Sequence, residues 1–501
     1  MEQKNLTSLQ EVVNWALMSS DPSIAAVGIL CVAISLQQLN SITHSETIAQ
    51  LPQTPGALFR EYFDRVNRLV INDNVYSTSL AGIEVIKMSC QIFMNLGLLK
   101  MTWVLNHRAI SHAQLLGLHR PHWNSTEETK SQMGVRQETW YTLCEHDLYT
   151  SLLLGLPYAT DGKLISPTIY GSRGTSKYLL YRLIRLSSRI VDRNQMGNEL
   201  STLETVDIER DMDSTANEFP ADFWDAPAAL HHGRITRPEY YDRLASLFWY
   251  FQMRVLLHQP LMIESIEDHQ LFPNRNACLR ACRDTLKIYQ LMRSDTMSGF
   301  SMVKVIDYQT FLCSALLLLG LLGYGSTNLY SIDQYDDWET VQSILYILRQ
   351  ASLVSNDSFI SQAVQGLGTL ASLVEAYKTG VCKAAEEDID TRSCFARISI
   401  PGTGVISIIP GKLLQKPTPP SSNSATTFAP PIFHLSHNSF EGLLSQGASA
   451  PYSQAIEQNN EPSSSDMAYD TPTMNFDIAN MIDMDLDADW AWLVQANAGI
   501  I

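Results

Sequence analysis

From about residue 8 to about residue 380, apolar residues recur at three- and four-residue steps and strand-like alternation is scarce. The pattern predicts an all-α body, a large multi-helix domain. Lys177 to Asn194 shows it plainly: Leu179, Leu183, Leu186 and Ile190 line one face, and Arg182, Arg185, Arg189 and Arg193 line the other. A second helical block starts near Arg237 and runs through Tyr241–Leu257, Asn276–Met292, Val305–Gly323 and Asp337–Ser352 to a last helix at Asp357–Lys378. Between the blocks, residues 195–235 are polar, acidic and poor in periodicity, which predicts a long acidic connecting loop. No repeat of roughly 33 to 47 residues stands out, and this argues against a solenoid.

Two apolar runs, Ile24 to Leu36 and Phe311 to Tyr324, invite a membrane reading. Both fall short of the roughly 18 to 20 apolar residues needed to cross a bilayer, so they are expected as buried core helices, with no membrane partner. From Gly411 the composition turns to Pro, Ser, Thr, Asn and Gln, which cannot bury enough surface to offset chain entropy. The expected organisation is a helical regulatory body over 1–410 and a disordered Pro/Ser-rich linker and acidic tail over 411–501. After Lys416 there is no Lys or Arg, whereas ten acids run from Glu441 to Asp489.

The formal charge of -17 argues against a surface that holds nucleic-acid phosphates by itself, because such affinity comes from Lys and Arg displacing counterions. Direct DNA binding by this chain is therefore not expected. The arginine face of Lys177–Asn194 is read as solvated, with an acidic partner or phosphate as the sharper alternative. Eight cysteines are scattered mostly singly through apolar surroundings, the usage of reduced core thiols in an intracellular compartment. No charged-then-apolar leader opens the chain, so secretion is not expected.

The sequence carries no G-x-S-x-G, no H-E-x-x-H, no phosphate loop and no G-x-G-x-x-G opening a helix. Glu145, His146 and Asp147 cannot form a triad among themselves, since consecutive helical residues point about 100° apart. Cys278 and Cys282 share a helical face, but structural zinc wants four ligands and no second pair accompanies them, so core packing is expected. No enzyme, no cofactor and no metal site are expected in this chain.

Within Ile110 to Pro157 stands an ordered set of features. A helix closes in Leu116, Gly117, Leu118, His119 and Arg120; a polar insert follows; then come Arg136 with Trp140 and Tyr141, an acid at Asp147, and a Gly-x-Pro stop at Gly155 and Pro157. This stretch resembles the middle homology region of fungal zinc-cluster transcription factors. "FQMRVLLHQPLM" (Phe251 to Met262), "RNACLRACRDTLKIYQLM" after it, "DYQTFLCSALLLLGL", "DWETVQSILYILRQAS" and "ISIPGTGVISIIP" (Ile398 to Pro410) are similar to the family's later landmarks in the same order. Departures are Arg136 alone where the family usually carries two or three arginines, and Leu156 where it usually has arginine. The zinc-cluster module of such factors needs six cysteines within about 30 to 40 residues. Here Cys31 and Cys90 are the only cysteines before the Leu116 landmark, so zinc is expected only in an N-terminal cluster preceding these residues.

The resemblance implies a nuclear transcription regulator of RNA polymerase II genes, of a metabolic or secondary-metabolite pathway, whose helical domain restrains or relays activity. Its partners would be coactivators or a DNA-binding partner protein, with a homodimer open. In "NFDIANMIDMDLDADWAWLV" (Asn475 to Val494), acids interleave with Phe476, Ile482, Met484, Leu486, Trp490, Trp492 and Leu493, the pattern of an activation segment kept soluble until a coactivator groove takes its apolar residues. Packing of this segment on the body is the plainer alternative. The charge contrast further suggests that the tail docks on Arg182, Arg185, Arg189 and Arg193. A helical ligand-sensing or scaffold protein without a role in transcription is the competing function.

Overall fold

The computed structural model describes residues 8–39, 44–120, 130–160, 173–196, 202–265, 268–294, 300, 303–322, 332–355, 358–378, 396–400, 404–408 and 494–496. The chain divides into two units, 1–417 with 476–501, and 418–475; every described residue belongs to the first.

Sixteen α-helices form among the described residues. The first group is α1 (Leu9–Leu17), α2 (Pro22–Gln37), α3 (Ser45–Ala49), α4 (Pro55–Val66), α5 (Asn74–Ser77), α6 (Leu80–Asn95) and α7 (Leu99–Leu115). Their starts follow local chemistry. Asp21 accepts from the Ser23 amide at 2.8 Å and Pro22 supplies a preset φ, so α2 begins there. Ser79 caps α6 through the Gly82 amide at 2.9 Å. A π-helical turn at Asn67–Ile71 ends α4.

The middle of the body is α8 (Lys130–Leu154), α9 (Ser176–Gln195), α10 (Thr202–Asn217), α11 (Ala226–His231) and α12 (Arg237–Glu264), the last opened by a capping box of Thr236 and Glu239. Then follow α13 (Phe272–Ser294), α14 (Lys304–Leu321), α15 (Ile332–Ser355) and α16 (Ser358–Lys378). Neighbours in sequence are mostly neighbours in space: α6 packs on α7, α7 on α8, α8 on α9, α12 on α13, and α13 on α14. One continuous core runs through the body from Ala26 to Val374.

At its centre lies α14, in which every residue from Val305 to Leu321 is buried. This helix is long and apolar enough to cross a membrane, yet protein surrounds it. Its one buried acid, Asp307, is met by Arg293 and by the Tyr289 hydroxyl at 2.7 Å. The run Ile24 to Leu36 likewise lies in α2, which buries Ala26, Leu30, Ala33 and Leu36.

Two features depart from the sequence reading. The expected acidic loop over residues 195–235 holds α10, a 3-10 turn at Ala221–Phe223 and α11. The reason is sparse patterning: α10 buries Thr205, Ile208, Met212 and Thr215 at helical spacing, but only two of these are strongly apolar. The body, though all-α, also closes in a small sheet. Strands β1 (Ala396–Ile400) and β2 (Gly404–Ile408) form an antiparallel hairpin within the Ile398–Pro410 landmark. Strand β3 (Val494–Ala496) pairs antiparallel with the other edge of β1, Ile398 opposite Val494.

Candidate functional site

The landmark residues gather where α7 and α8 meet. After α7, Gly117 takes φ +71 and Leu118 turns back to donate to the Ala113 carbonyl at 2.9 Å, closing the helix with a left-handed residue. Leu118 is buried by that turn. Arg136 on α8 then donates to the Leu116 carbonyl at 2.8 Å, and the His119 ring lies 5.9 Å from the ring of Trp140. Leu116, His119, Arg136 and Trp140 thus form one junction. Arg120 stands exposed beside it.

At its other end α8 is tied to the turn that follows it. Gly155 has φ +67, and Leu156 donates to the Ser151 carbonyl at 3.0 Å. Trp103 of α7 reaches this turn, its Nε1–H shared between Ser151 Oγ at 3.0 Å and the Pro157 carbonyl at 3.3 Å. Asp147 is fully buried and accepts three hydrogen bonds through Oδ2, from the Ala159 and Thr160 amides at 2.9 and 2.8 Å and from Thr160 Oγ1 at 2.7 Å. His107 Nε2 lies 3.7 Å from its other oxygen. Burial raises the Asp147 pKa and these partners oppose that rise. The carboxylate therefore acts as a fastener for the chain after α8.

Glu145, His146 and Asp147 engage different surroundings. Burial raises Glu145 to about 7, against the pull of Lys177, and lowers His146 to about 4, with Lys87 adding to the effect. Cys278, Cys282 and Cys313 are buried together between α12, α13 and α14; the Cys278 thiol points to the Val255 carbonyl at 3.9 Å and that of Cys313 to Gln252 Oε1 at 3.5 Å. Among the described residues no group of three His, Cys, Asp or Glu side chains is arranged to hold a metal ion.

The arginine face of α9 is not a solvated surface open to the tail. Arg182 pairs with Glu218, and Arg189 pairs with Asp211. Arg193 is 1% exposed, donating to Thr205 Oγ1 at 2.7 Å and to the Leu257 carbonyl at 2.8 Å. Arg185 alone of the four is exposed. The acidic segment around α10 covers this face and also grips α12: Glu209 and Asp213 lie 2.9 and 3.2 Å from Arg254, and Glu209 lies 3.3 Å from His258 Nε2. The acidic partner of these arginines is therefore the stretch expected as a loop. Its acids were visible in the sequence; their helical register was not.

Phe476, Ile482, Met484, Leu486, Trp490, Trp492 and Leu493 lie outside the described residues. The described part of that region is β3, which begins immediately after Leu493.

No protein-family profile and no solved structure matches the chain. It is 25% identical over 432 residues to the dehydrocurvularin biosynthesis regulator of Alternaria cinerariae, covering 81% of this chain and 55% of that protein. It is 26% identical over 462 residues to the regulator of the same name in Aspergillus terreus, covering 85% of this chain and 62% of that protein. Transcription factor eupR of a Phoma species is 27% identical over 257 residues, half of this chain and 55% of that protein. The chain thus spans little more than half the length of these curated relatives. All three are named as regulators or transcription factors, and it is to such fungal regulators that this chain is similar.

Proposed function

We propose that the chain is the regulatory part of a nuclear transcription regulator of the fungal zinc-cluster family, controlling RNA polymerase II genes of a secondary-metabolite pathway. The observation that carries this reading is the extended similarity to biosynthesis regulators across more than four-fifths of the chain. The landmark junction supports it: residues apart in sequence, Leu116 and Arg136 above all, meet in one place. The helical body supplies a stable platform, and the acidic-aromatic stretch Asn475 to Val494 contacts coactivators. DNA contact comes from a DNA-binding partner protein or from a zinc cluster preceding these residues, since the charge of -17 over these residues disfavours phosphate contact.

The test is a reporter gene driven by residues 1–501, and by the chain ending at Asn460, each fused to an unrelated DNA-binding domain. Strong activation lost on truncation is expected. Absence of activation from the full chain, shown to be expressed and nuclear, would leave a helical sensor or scaffold as the better reading.

A further inference from the structure

The small sheet that closes the body takes one of its strands from far along the chain. β1 pairs with β2, its neighbour in sequence, on one edge and with β3 on the other. The β3 pairing is short: Ala396 stands opposite Ala496, Arg397 opposite Gln495 and Ile398 opposite Val494. β3 also packs against α16, so it meets both the β1 edge and that helix.

Two properties of this pairing make the strand replaceable. A ladder of three residues exchanges only about two to four hydrogen bonds, each of small net worth because water competes for the same groups. The connection from Ile408 to Val494 is long, and the entropy of closing it opposes the contact. A competitor has to exceed only the effective concentration of the tethered strand, which falls as the connection lengthens.

What the edge recognises follows from strand geometry. Its backbone N–H and C=O groups pair with those of any extended segment, so the ladder itself is tolerant of sequence. Selectivity comes from alternation. Val494 and Ala496 fall on the same side of the ladder as Ile398 and Ala396, and Gln495 falls with Arg397 on the other. The pattern that fits is a branched apolar residue, a polar one and a small apolar one. A second copy of this chain is the poorer donor, because its own β3 must first leave its own β1.

We propose that the β1 edge is a strand-docking site for a partner protein, which inserts an extended segment of this branched–polar–small pattern, and that β3 is the tethered occupant when the partner is absent. Partner entry and β3 release are one equilibrium, so each weakens the other to the same degree. The site goes beyond the regulator reading and stands or falls separately from it, because binding is measured on the purified chain and needs no promoter.

The probe is a fluorescein-labelled peptide of residues 491–498, which carries the Val494–Ala496 pattern. It is titrated by fluorescence anisotropy into the full chain and into a full-chain variant with Val494→Pro and Gln495→Pro. Successive N–H groups of a strand point to opposite edges, so one of the two prolines removes a donor on the β1 side and the variant's own β3 is released. Saturable binding to the variant is expected. The wild-type chain should bind about tenfold more weakly, as when β3 occupies the edge about nine-tenths of the time. A peptide carrying the same two prolines should bind neither chain. Circular dichroism checks that the variant folds; where it does not, the chain ending at Leu493 takes its place. Equal affinity for the wild-type chain and the variant would overturn the proposal, by placing the peptide somewhere other than the edge that β3 covers. So would the absence of saturable binding to both chains, or equal binding of the proline peptide, the contact then owing nothing to a ladder.

Discussion

Glu145 and His146 are consecutive on α8, and burial drives both toward their neutral forms. For Glu145 that means a folded pKa of about 7 against an ordinary 4.5, burial being the main cause and Lys177 a partial offset. The folded state then holds the proton more tightly than the unfolded state does. Stability from this group is full below about pH 4.5 and is lost as pH rises to about 7. His146, lowered from 6.5 to about 4, behaves oppositely, since stability is lost as pH falls through that interval. A Glu145→Gln variant separates the two, because it removes only the first. It should gain about 1–3 kcal/mol relative to the wild-type chain at pH 8, after allowance for the partial exposure of Glu145, and little at pH 4.5. Urea unfolding at both pH values reads the difference; a gain that does not change with pH would show that Glu145 ionises freely in the folded protein. The sequence marked these residues as ones that cannot converge, and the helix spacing was enough for that. It did not show that Asp147, one residue on, fastens Thr160, because that contact depends on how the chain turns after Gly155.

At the scale of elements, long helices with dense apolar stripes were legible, and α12, α13, α14 and α16 lie close to where periodicity places them. α10 was not, because a helix that buries only Ile208 and Met212 as apolar anchors looks like a loop until its acids are matched to partners on other helices. Three of the arginines it meets, Arg182, Arg189 and Arg193 on α9, do carry a sequence signature, but as an isolated basic stripe it gives no hint of what covers it. Glu209 shows how the α10 clamp holds. The His258 imidazole, its Nε2 3.3 Å from the carboxylate, with Arg254 adding to it against some desolvation, holds Glu209 at about 2. A lowered carboxylate contributes stability above its unfolded value, near 4.5, and loses it as pH falls toward 2. Glu209→Gln should therefore cost about 1–2 kcal/mol at neutral pH and progressively less below pH 4.5. An equal cost at pH 7 and pH 3, measured by urea unfolding wherever the chain remains folded, would assign the effect to packing and not to charge.

For the molecule as a whole, the sheet joins the end of the chain to the end of the helical body. β1 accepts β2 on one edge and β3 on the other, so Val494 and Ile398 face each other across a ladder while standing far apart in sequence. The landmark Ile398–Pro410 could be recognised from its sequence, but nothing in a single chain of alternating residues says which distant segment will occupy its free edge. The pairing matters because β3 begins directly after Trp492 and Leu493, two residues proposed to meet a coactivator; a segment held at one end has less freedom to fold into a groove than a free one. Opposed residues in an antiparallel ladder have Cα atoms about 4.5–5.5 Å apart, within the span a disulfide bridges. With Cys31, Cys382 and Cys394 replaced by Ser, a chain carrying Ile398→Cys and Val494→Cys should oxidise to an internally linked species that migrates faster on a non-reducing gel. Ile398→Cys with Ala496→Cys is the off-register control, because Ala496 faces Ala396. Efficient linkage of the first pair and poor linkage of the second fixes the register; equal linkage of both would mean that β3 visits the edge without pairing, and the end of the chain would then be as available to a partner as an untethered segment.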